Sequence, residues 1–487
     1  MEEEGALPAM WLTYNKFRKM MHFEADEVED LDVAFDSDDS EDIEAQGMAP
    51  DGDAGEREEA DTDVDVDIED LDAEELKIEE SDLNSVKDRI ESICGILSKW
   101  SAVTKAQTVT RKRESFVSEL KRLVSLYYGY SDELADYFLK LFNPVEAIQF
   151  FEANEQPLPL TIRTNTLKTR RKELAVSLIN RGANVDPTGD WTKEGLVVHS
   201  SKVPIGATPE YLAGHYMLQS ASSLIPVLAL APKEGEKVLD IAAAPGGKTT
   251  HIGQIMNNTG LIYANDFNKD RCKALVANIH RLGVTNTIVT NYDGTKLLNV
   301  LPPLDRVLCD APCSGLGVIS RDPSVKVKRT LKDIQENAVL QKQLLCTAID
   351  LVNSASKTGG CIVYSTCSLS VEENEEVVNY ALRMRNVKLV PLGLDIGSPA
   401  FSRFRGRKFH PSIAAHARRF YPHKHNLDGF FVAKFVKLSN KIPIREKRFR
   451  GFPQGQNEPQ EAVEEPKPET FEKPKDKKPK GNKKAKK

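Results

Sequence analysis

Two of the seven cysteines in this 487-residue chain stand apart from the rest. Cys313 lies in RVLCDAPCSGLG, 306–317, and Cys367 lies in CIVYSTCSLSVEENE, 361–375. Each follows a short apolar run that reads as a strand, and a helix is expected from about residue 371. A thiol at a strand end near a helix N-terminus can ionise more easily, and the thiolate is the nucleophilic form. Burial as inert packing is the reading for Cys94, Cys272, Cys309, Cys346 and Cys361. No pair has a C-x-x-C spacing, so no metal site is expected.

A second motif, VLDIAAAPGGKTT, 238–250, runs from a strand end at Asp240 through small residues into a helix. Such a turn lets the backbone approach a ligand, and the helix start offers free N–H groups. A phosphate-binding Walker loop would need glycine where Ala242 stands, and G-x-G-x-x-G is absent. What remains is a turn for the aminoacyl part of S-adenosylmethionine, spanning Ala243, Ala244, Pro245, Gly246, Gly247, Lys248 and Thr249. Asp266 ends the next strand, LIYAND, where a carboxylate suits a ribose diol or a helix cap. Asp293, in NYDG after TIVT, is placed to meet the adenine amino group or to make a turn. Asp310, before the Pro-Cys pair, completes the set of strand-end acids.

The elements that must position these residues follow from periodicity. KVLDIA, LIYAND, TIVT, DRVLCD, CIVYST and FFVAKF are short apolar strands, separated in several places by helical stretches such as NKDRCKALVANIHRLG. That alternation predicts an α/β, Rossmann-like, mostly parallel doubly wound sheet over 206–437, with ligands at the strand carboxyl ends. A helical region is expected over 83–154, from stripes such as Val86, Ile90, Ile93 and Leu97. A small α+β unit is expected over 155–205, where Arg163, Lys168, Arg170, Arg171 and Lys172 form an RNA-contacting surface or a solvated basic face.

Composition narrows the function classes. No apolar run approaches the ~20 residues of a bilayer span, so no membrane partner is expected. The opening MEEEGALPAM is acidic where a secretory signal would be basic. From Glu24 to Asp82 there are 29 acidic residues against 2 basic, leaving 64 basic against 44 acidic in the remainder. The leader, 1–82, is therefore expected to be mostly disordered, as a solubilising tail or a contact for basic proteins. The tail, 438–487, ends in KPKDKKPKGNKKAKK and reads as a nucleolar address or a loose RNA contact.

Together, DIAAAPGGKTT, DAPCSG, and YSTCS followed by EENE resemble the RNA (cytosine-5) methyltransferases, as do RTNTLK, LQSASS and RFYPHKHNLDGFFVAKF. NIHRLGVTNTIVTNYDG, SVKVKRT and the two charged flanks resemble the family's nucleolar large-subunit ribosomal RNA branch. The resemblance covers roughly 155–437. It implies an S-adenosylmethionine-dependent methyltransferase fold, ribosomal RNA and pre-ribosomal particles as partners, and a nucleolar location. It also implies roles: Cys367 bonds to carbon 6 of cytosine, Cys313 assists product release, Asp310 lies near N3 and the exocyclic amine, and Lys248 lies near cofactor and base. A non-catalytic ribosome-assembly factor and a transfer-RNA methyltransferase are the alternatives.

Overall fold

In the computed structural model, residues 83–105 and 111–442 are described. The readings of the 1–82 leader and of the Lys-rich end lie outside them.

Five helices open the described chain: α1 (Leu83–Ser98), α2 (Trp100–Lys105), α3 (Arg113–Tyr128), α4 (Asp132–Leu141) and α5 (Pro144–Glu155). The expected stripe residues are buried, and the boundaries carry their own signals. Ser131 caps α4 by accepting from Leu134 N–H, and Asn143 caps α5 by accepting from Glu146 N–H, with Pro144 at the first helical position. Tyr130, Phe138, Phe150 and Phe151 form a buried aromatic cluster between them. The layer also reaches forward. Tyr137 Oη donates to Glu372 at 2.5 Å and accepts from Val371 N–H at 2.9 Å, which braces the segment just beyond Cys367.

The small unit comprises β1 (Leu160–Thr164), α6 (Arg171–Asn180), β2 (Ala183–Pro187), β3 (Gly195–Ser201) and β4 (Tyr216–Leu218), in a sheet of order β2-β3-β1-β4. All of its pairings are antiparallel. Ile162, Leu174, Leu178, Leu196 and Tyr216 fill its core. Two of these strands escape a reading by apolar runs. Strand β2 is polar and holds Pro187, which an edge position tolerates. Strand β4 lies beyond residue 205, so the sheet takes its fourth strand from past that boundary.

The larger sheet contains β5 (Lys237–Asp240), β6 (Leu261–Asn265), β7 (Thr287–Thr290), β8 (Arg306–Asp310), β9 (Cys361–Thr366), β10 (Val387–Val390), β11 (Ser398–Pro399), β14 (Arg418–Phe420) and β15 (Phe430–Lys437). A separate hairpin pairs β12 (Arg403–Phe404) with β13 (Arg407–Lys408). Strands β9-β8-β5-β6-β7 are parallel and adjacent in that order. The chain moves outward from β5 to β6 and β7, then returns to β8 and β9 on the other side. The crevice where that direction reverses lies at the carboxyl ends of β5 and β8, at Asp240 and Asp310. Helices α7 (Ile225–Leu230), α8 (Gly247–Ile255), α9 (Lys269–Leu282), α10 (Leu331–Leu351) and α11 (Glu375–Met384) accompany these strands. This is the expected Rossmann-like methyltransferase fold, with a larger antiparallel arm than the sequence suggested. Strand β15 runs antiparallel to β9, and its far edge is shared by β14 and β10.

Candidate active site

The loop between β5 and α8 forms the floor of the crevice. Ala243 N–H donates to Asn265 O at 2.7 Å, and Ala244 N–H donates to Asp266 Oδ2 at 3.1 Å. Gly246 turns the chain into α8 at φ +103°, in the left-handed region, and a Cβ there would sit 3.1 Å from Leu275 Cδ1. Thr249 is buried and donates its hydroxyl to Asp240 Oδ2 at 2.7 Å, so it supports the loop from beneath. Arg163, from β1, reaches across to Gln219, to Gly247 O and to Thr250 Oγ1, the last at 2.9 Å.

Asp266 is buried, and both its oxygens are in use, since Oδ1 accepts from Asn268 N–H at 2.9 Å. Asn268, two residues on, is the actual cap of α9. A carboxylate offers about four acceptor sites, so capacity for a ribose hydroxyl remains. Asp293 caps the turn after β7 by accepting from Thr295, and these bonds and Lys296 hold its carboxyl below the usual range. Beside the two acids stand Phe267, 78% exposed, and Tyr292, 44% exposed. Asn291 ties their loops together by donating to Phe267 O at 2.8 Å. An adenine ring fits flanks of this type. The glycines without Cβ, the acids and these rings suit S-adenosylmethionine. The aromatics were missed because single exposed rings carry no sequence periodicity.

The reactive end lies across β8 and β9. Cys313 Sγ and Cys367 Sγ are 2.7 Å apart, both half-buried, and neither is in a disulfide. Lys248 Nζ is 2.9 Å from Asp310 Oδ2, and Ser365 Oγ donates to Asp310 Oδ1 at 2.7 Å. Burial alone would lower the Lys248 pKa, but the attraction of Asp310, Asp240 and Cys367 outweighs it and holds the ammonium above its ordinary value. The Cys313 thiol is pushed well up by its hydrogen bond to Cys367, then by burial, then by the charges of Cys367 and Glu373. The helix after Cys367 starts at Glu375 and not near 371, because residues 368–374 make turns that bind Ser314 and Ser368. Gly317 is the pivot between three segments. Its N–H donates to Cys367 O at 2.8 Å, and its carbonyl accepts from Gly429 N–H at 2.7 Å. A Cβ at Gly317 would lie 1.8 Å from Gly429 O.

Asp240 is a further group that the sequence did not mark out. It is fully buried, Oδ1 has no bonding partner, and burial pushes its carboxyl up to about 7, with Thr249 acting against the shift. The expected basic surface divides. Arg163 is 1% exposed, Lys168 donates to Ala213 O and Arg281 O, and Arg171 donates to Thr192 O. Only Arg170 and Lys172 of that set are exposed without such a tie, so most of the cluster is structural. Among the described residues, no three His, Cys, Asp or Glu side chains converge to hold a metal.

Residues 227–436 match the family described as 16S rRNA methyltransferase RsmB/F, and residues 139–205 match its ferredoxin-like domain. A 28S rRNA (cytosine-C(5))-methyltransferase of Mus musculus is 59% identical over 362 residues, 74% of this chain and 45% of the relative. The chain thus spans about half the length of that protein. A tRNA (cytosine(49)-C(5))-methyltransferase of Pyrococcus abyssi is 38% identical over 292 residues, 59% of this chain and 91% of the relative. The crystal structure of a methyltransferase homologue from Pyrococcus horikoshii superposes with a TM-score of 0.58 at 39% identity, over 64% of this chain and 97% of the other.

Proposed function

The chain belongs to the RNA (cytosine-5) methyltransferase family of RsmB/F type, and from that premise we propose that it methylates carbon 5 of a cytosine in large-subunit ribosomal RNA. The observation that carries the chemistry is the thiol pair, Cys313 and Cys367, set beside Lys248 and Asp310 at the strand ends. Residues Ala243, Ala244, Pro245, Gly246 and Gly247 would cradle S-adenosylmethionine, with Thr249 beneath them. Asp266 would take its ribose, and Asp293 with Phe267 and Tyr292 its adenine. When bound, that cofactor supplies a methyl group on sulfonium sulfur.

Carbon 5 of cytosine is a poor nucleophile. Addition of the Cys367 thiolate to carbon 6 makes carbon 5 electron-rich enough to take the methyl group. Asp310 meets N3 and the exocyclic amine, and Lys248 holds Asp310 in place. Once Cys367 is bonded to carbon 6 it no longer offers a thiolate to the Cys313 S–H, and the hydrogen bond that pushes that thiol up most is lost. Cys313 then loses its proton to solvent and takes the proton from carbon 5. The S–C6 electron pair returns to Cys367. Both sulfurs end as they began, and one proton is released per methyl group. The target base must leave its stack to reach this site. The small unit at 155–205 is the RNA-binding unit of this reading. Assembly into pre-ribosomal particles in the nucleolus fits the charged flanks and the rRNA enzymes among the relatives.

The test is a denaturing gel of variants incubated with RNA and cofactor. Cys367→Ala transfers no methyl group and forms no adduct. Cys313→Ala leaves RNA covalently attached. Trapping by Cys367→Ala instead would reverse the two roles, and full activity in both would end the thiol mechanism. Bisulfite mapping of ribosomal and transfer RNA, with and without the protein, checks the substrate. Methylation confined to transfer RNA overturns the ribosomal reading.

A further inference from the structure

The turn that follows Cys367 is held from three sides. The carbonyl of Cys367 itself accepts from Gly317 N–H at 2.8 Å. Farther on, Arg419 Nη1 donates to Leu369 O at 2.9 Å, and its Nε pairs with Glu375 at 2.6 Å. The third hold comes from outside the large sheet. Tyr137 Oη, on α4 of the helical region, accepts from Val371 N–H at 2.9 Å and donates to Glu372 at 2.5 Å. The residue that carries this hydroxyl is 1% exposed. Its ring lies 6.0 Å from that of Phe138 and 6.3 Å from that of Phe404, centroid to centroid, and the Arg405 guanidinium stands 5.2 Å from its centroid. Helix α4 is fixed in turn by its Ser131 cap. Tyr137 precedes both segments that match the family, which begin at 139 and 227.

We propose that the helical region serves the chemical step, with Tyr137 as a positioning residue that fixes the backbone turn behind the Cys367 thiol. Val371 is buried, and its N–H is a donor that must be paired. Without the hydroxyl, that N–H stays unpaired at a cost or draws the turn toward another acceptor. The turn begins at Cys367, so its movement changes the approach of sulfur to carbon 6, and bond formation tolerates little misplacement. The hydrogen bonds of Tyr137 go to this turn and not to the cofactor turn between β5 and α8, so cofactor binding is spared. The inference rests on Cys367 being the attacking thiol.

Tyr137→Phe removes the hydroxyl and keeps the ring. The test reads how fast full-length Cys313→Ala protein forms its covalent RNA adduct in a single turnover, at saturating RNA and S-adenosylmethionine. Adding Tyr137→Phe should slow the adduct about tenfold, less than the roughly hundredfold that a misplacement of about 1 Å can cost. The affinity for S-adenosylmethionine, measured by calorimetry, should stay within about twofold, as expected when only the chemical step is affected. Phe150→Leu, in the aromatic cluster of the same region, lowers stability without removing a bond to the turn, and should leave the adduct rate at its parent value. An unchanged rate in folded Tyr137→Phe, or an equal fall in Phe150→Leu, overturns the proposal. Should Tyr137→Phe not fold, Glu372→Ala takes its place, since it removes the acceptor that orients the same hydroxyl. A slower adduct there supports the proposal, and an unchanged rate overturns it. Should Cys313→Ala trap no RNA, the roles given to the two cysteines fall, and hydrogen exchange in the free protein decides on the brace. Faster exchange over 368–374 in Tyr137→Phe, with β9 unchanged, supports it, and equal protection overturns it.

Discussion

Replacing Asp240 with asparagine should stabilise the protein, and by an amount that grows with pH. The carboxyl is fully buried at the end of β5, and burial pushes it from 3.8 up to about 7. Between those values the unfolded chain has released its proton and the folded chain has kept it. Stability therefore falls as pH rises, by about 1.36 kcal/mol per unit, and levels off above about 7. The accumulated cost is about 1.5 kcal/mol at pH 5 and about 4 kcal/mol at pH 8. Asparagine never ionises, fits the same space and can still accept from the Thr249 hydroxyl. The variant should melt about 3 °C above wild type at pH 5 and about 8 °C above it at pH 8, at roughly 2 °C per kcal/mol. Paired thermal melts at the two pH values are sufficient, because other acid-linked effects cancel in the difference. A variant less stable than wild type at pH 8, or a gain independent of pH, would refute the burial argument.

Phe267→Ala should leave the melting temperature close to wild type, because the ring is 78% exposed. In calorimetric titration it should weaken S-adenosylmethionine binding about tenfold, on the order of the worth of one stacked ring. Unchanged affinity would remove Phe267 from the adenine site. Gly317→Ala should cost more than about 4 kcal/mol, because its methyl group would occupy the place of Gly429 O. A normal melt with normal activity would mean that the segments part freely.

Much of the fold was legible because strands buried on both faces leave apolar runs that survive local reading. CIVYST is such a run, and every residue of β9 is buried. The strand-end acids and the two cysteines were legible because a parallel sheet places the residues after each strand on one edge. What stayed hidden depended on partners distant in sequence. Arg163 sits in a basic cluster and looked like a surface residue, but its bonding partners at Gly247 and Thr250 are 84 and 87 positions away. Glu375, one of three acids in EENE, forms a fully buried pair with Arg419, 44 positions on. His423 pairs with Glu146 of the helical region, 277 positions back. Local composition predicts exposure from average behaviour, and a buried ion pair departs from that average because each partner removes the cost of the other.

The Arg163 bridge limits how relatives of this chain can be recombined. The two matched segments end at 205 and begin again at 227, which invites a crossover in the gap between them. That gap contains β4 and Gln219. A junction at 205 would take the fourth strand and Gln219 from one parent and β1 with its arginine from the other. The guanidinium would then have to find Gly247 O and Thr250 in a helix selected alongside a different arginine. A junction at 227 keeps β4 and Gln219 with β1, but still divides the arginine from the helix start. Hybrids that keep β1, β4 and the start of α8 from one parent should therefore fold more readily than hybrids that divide them.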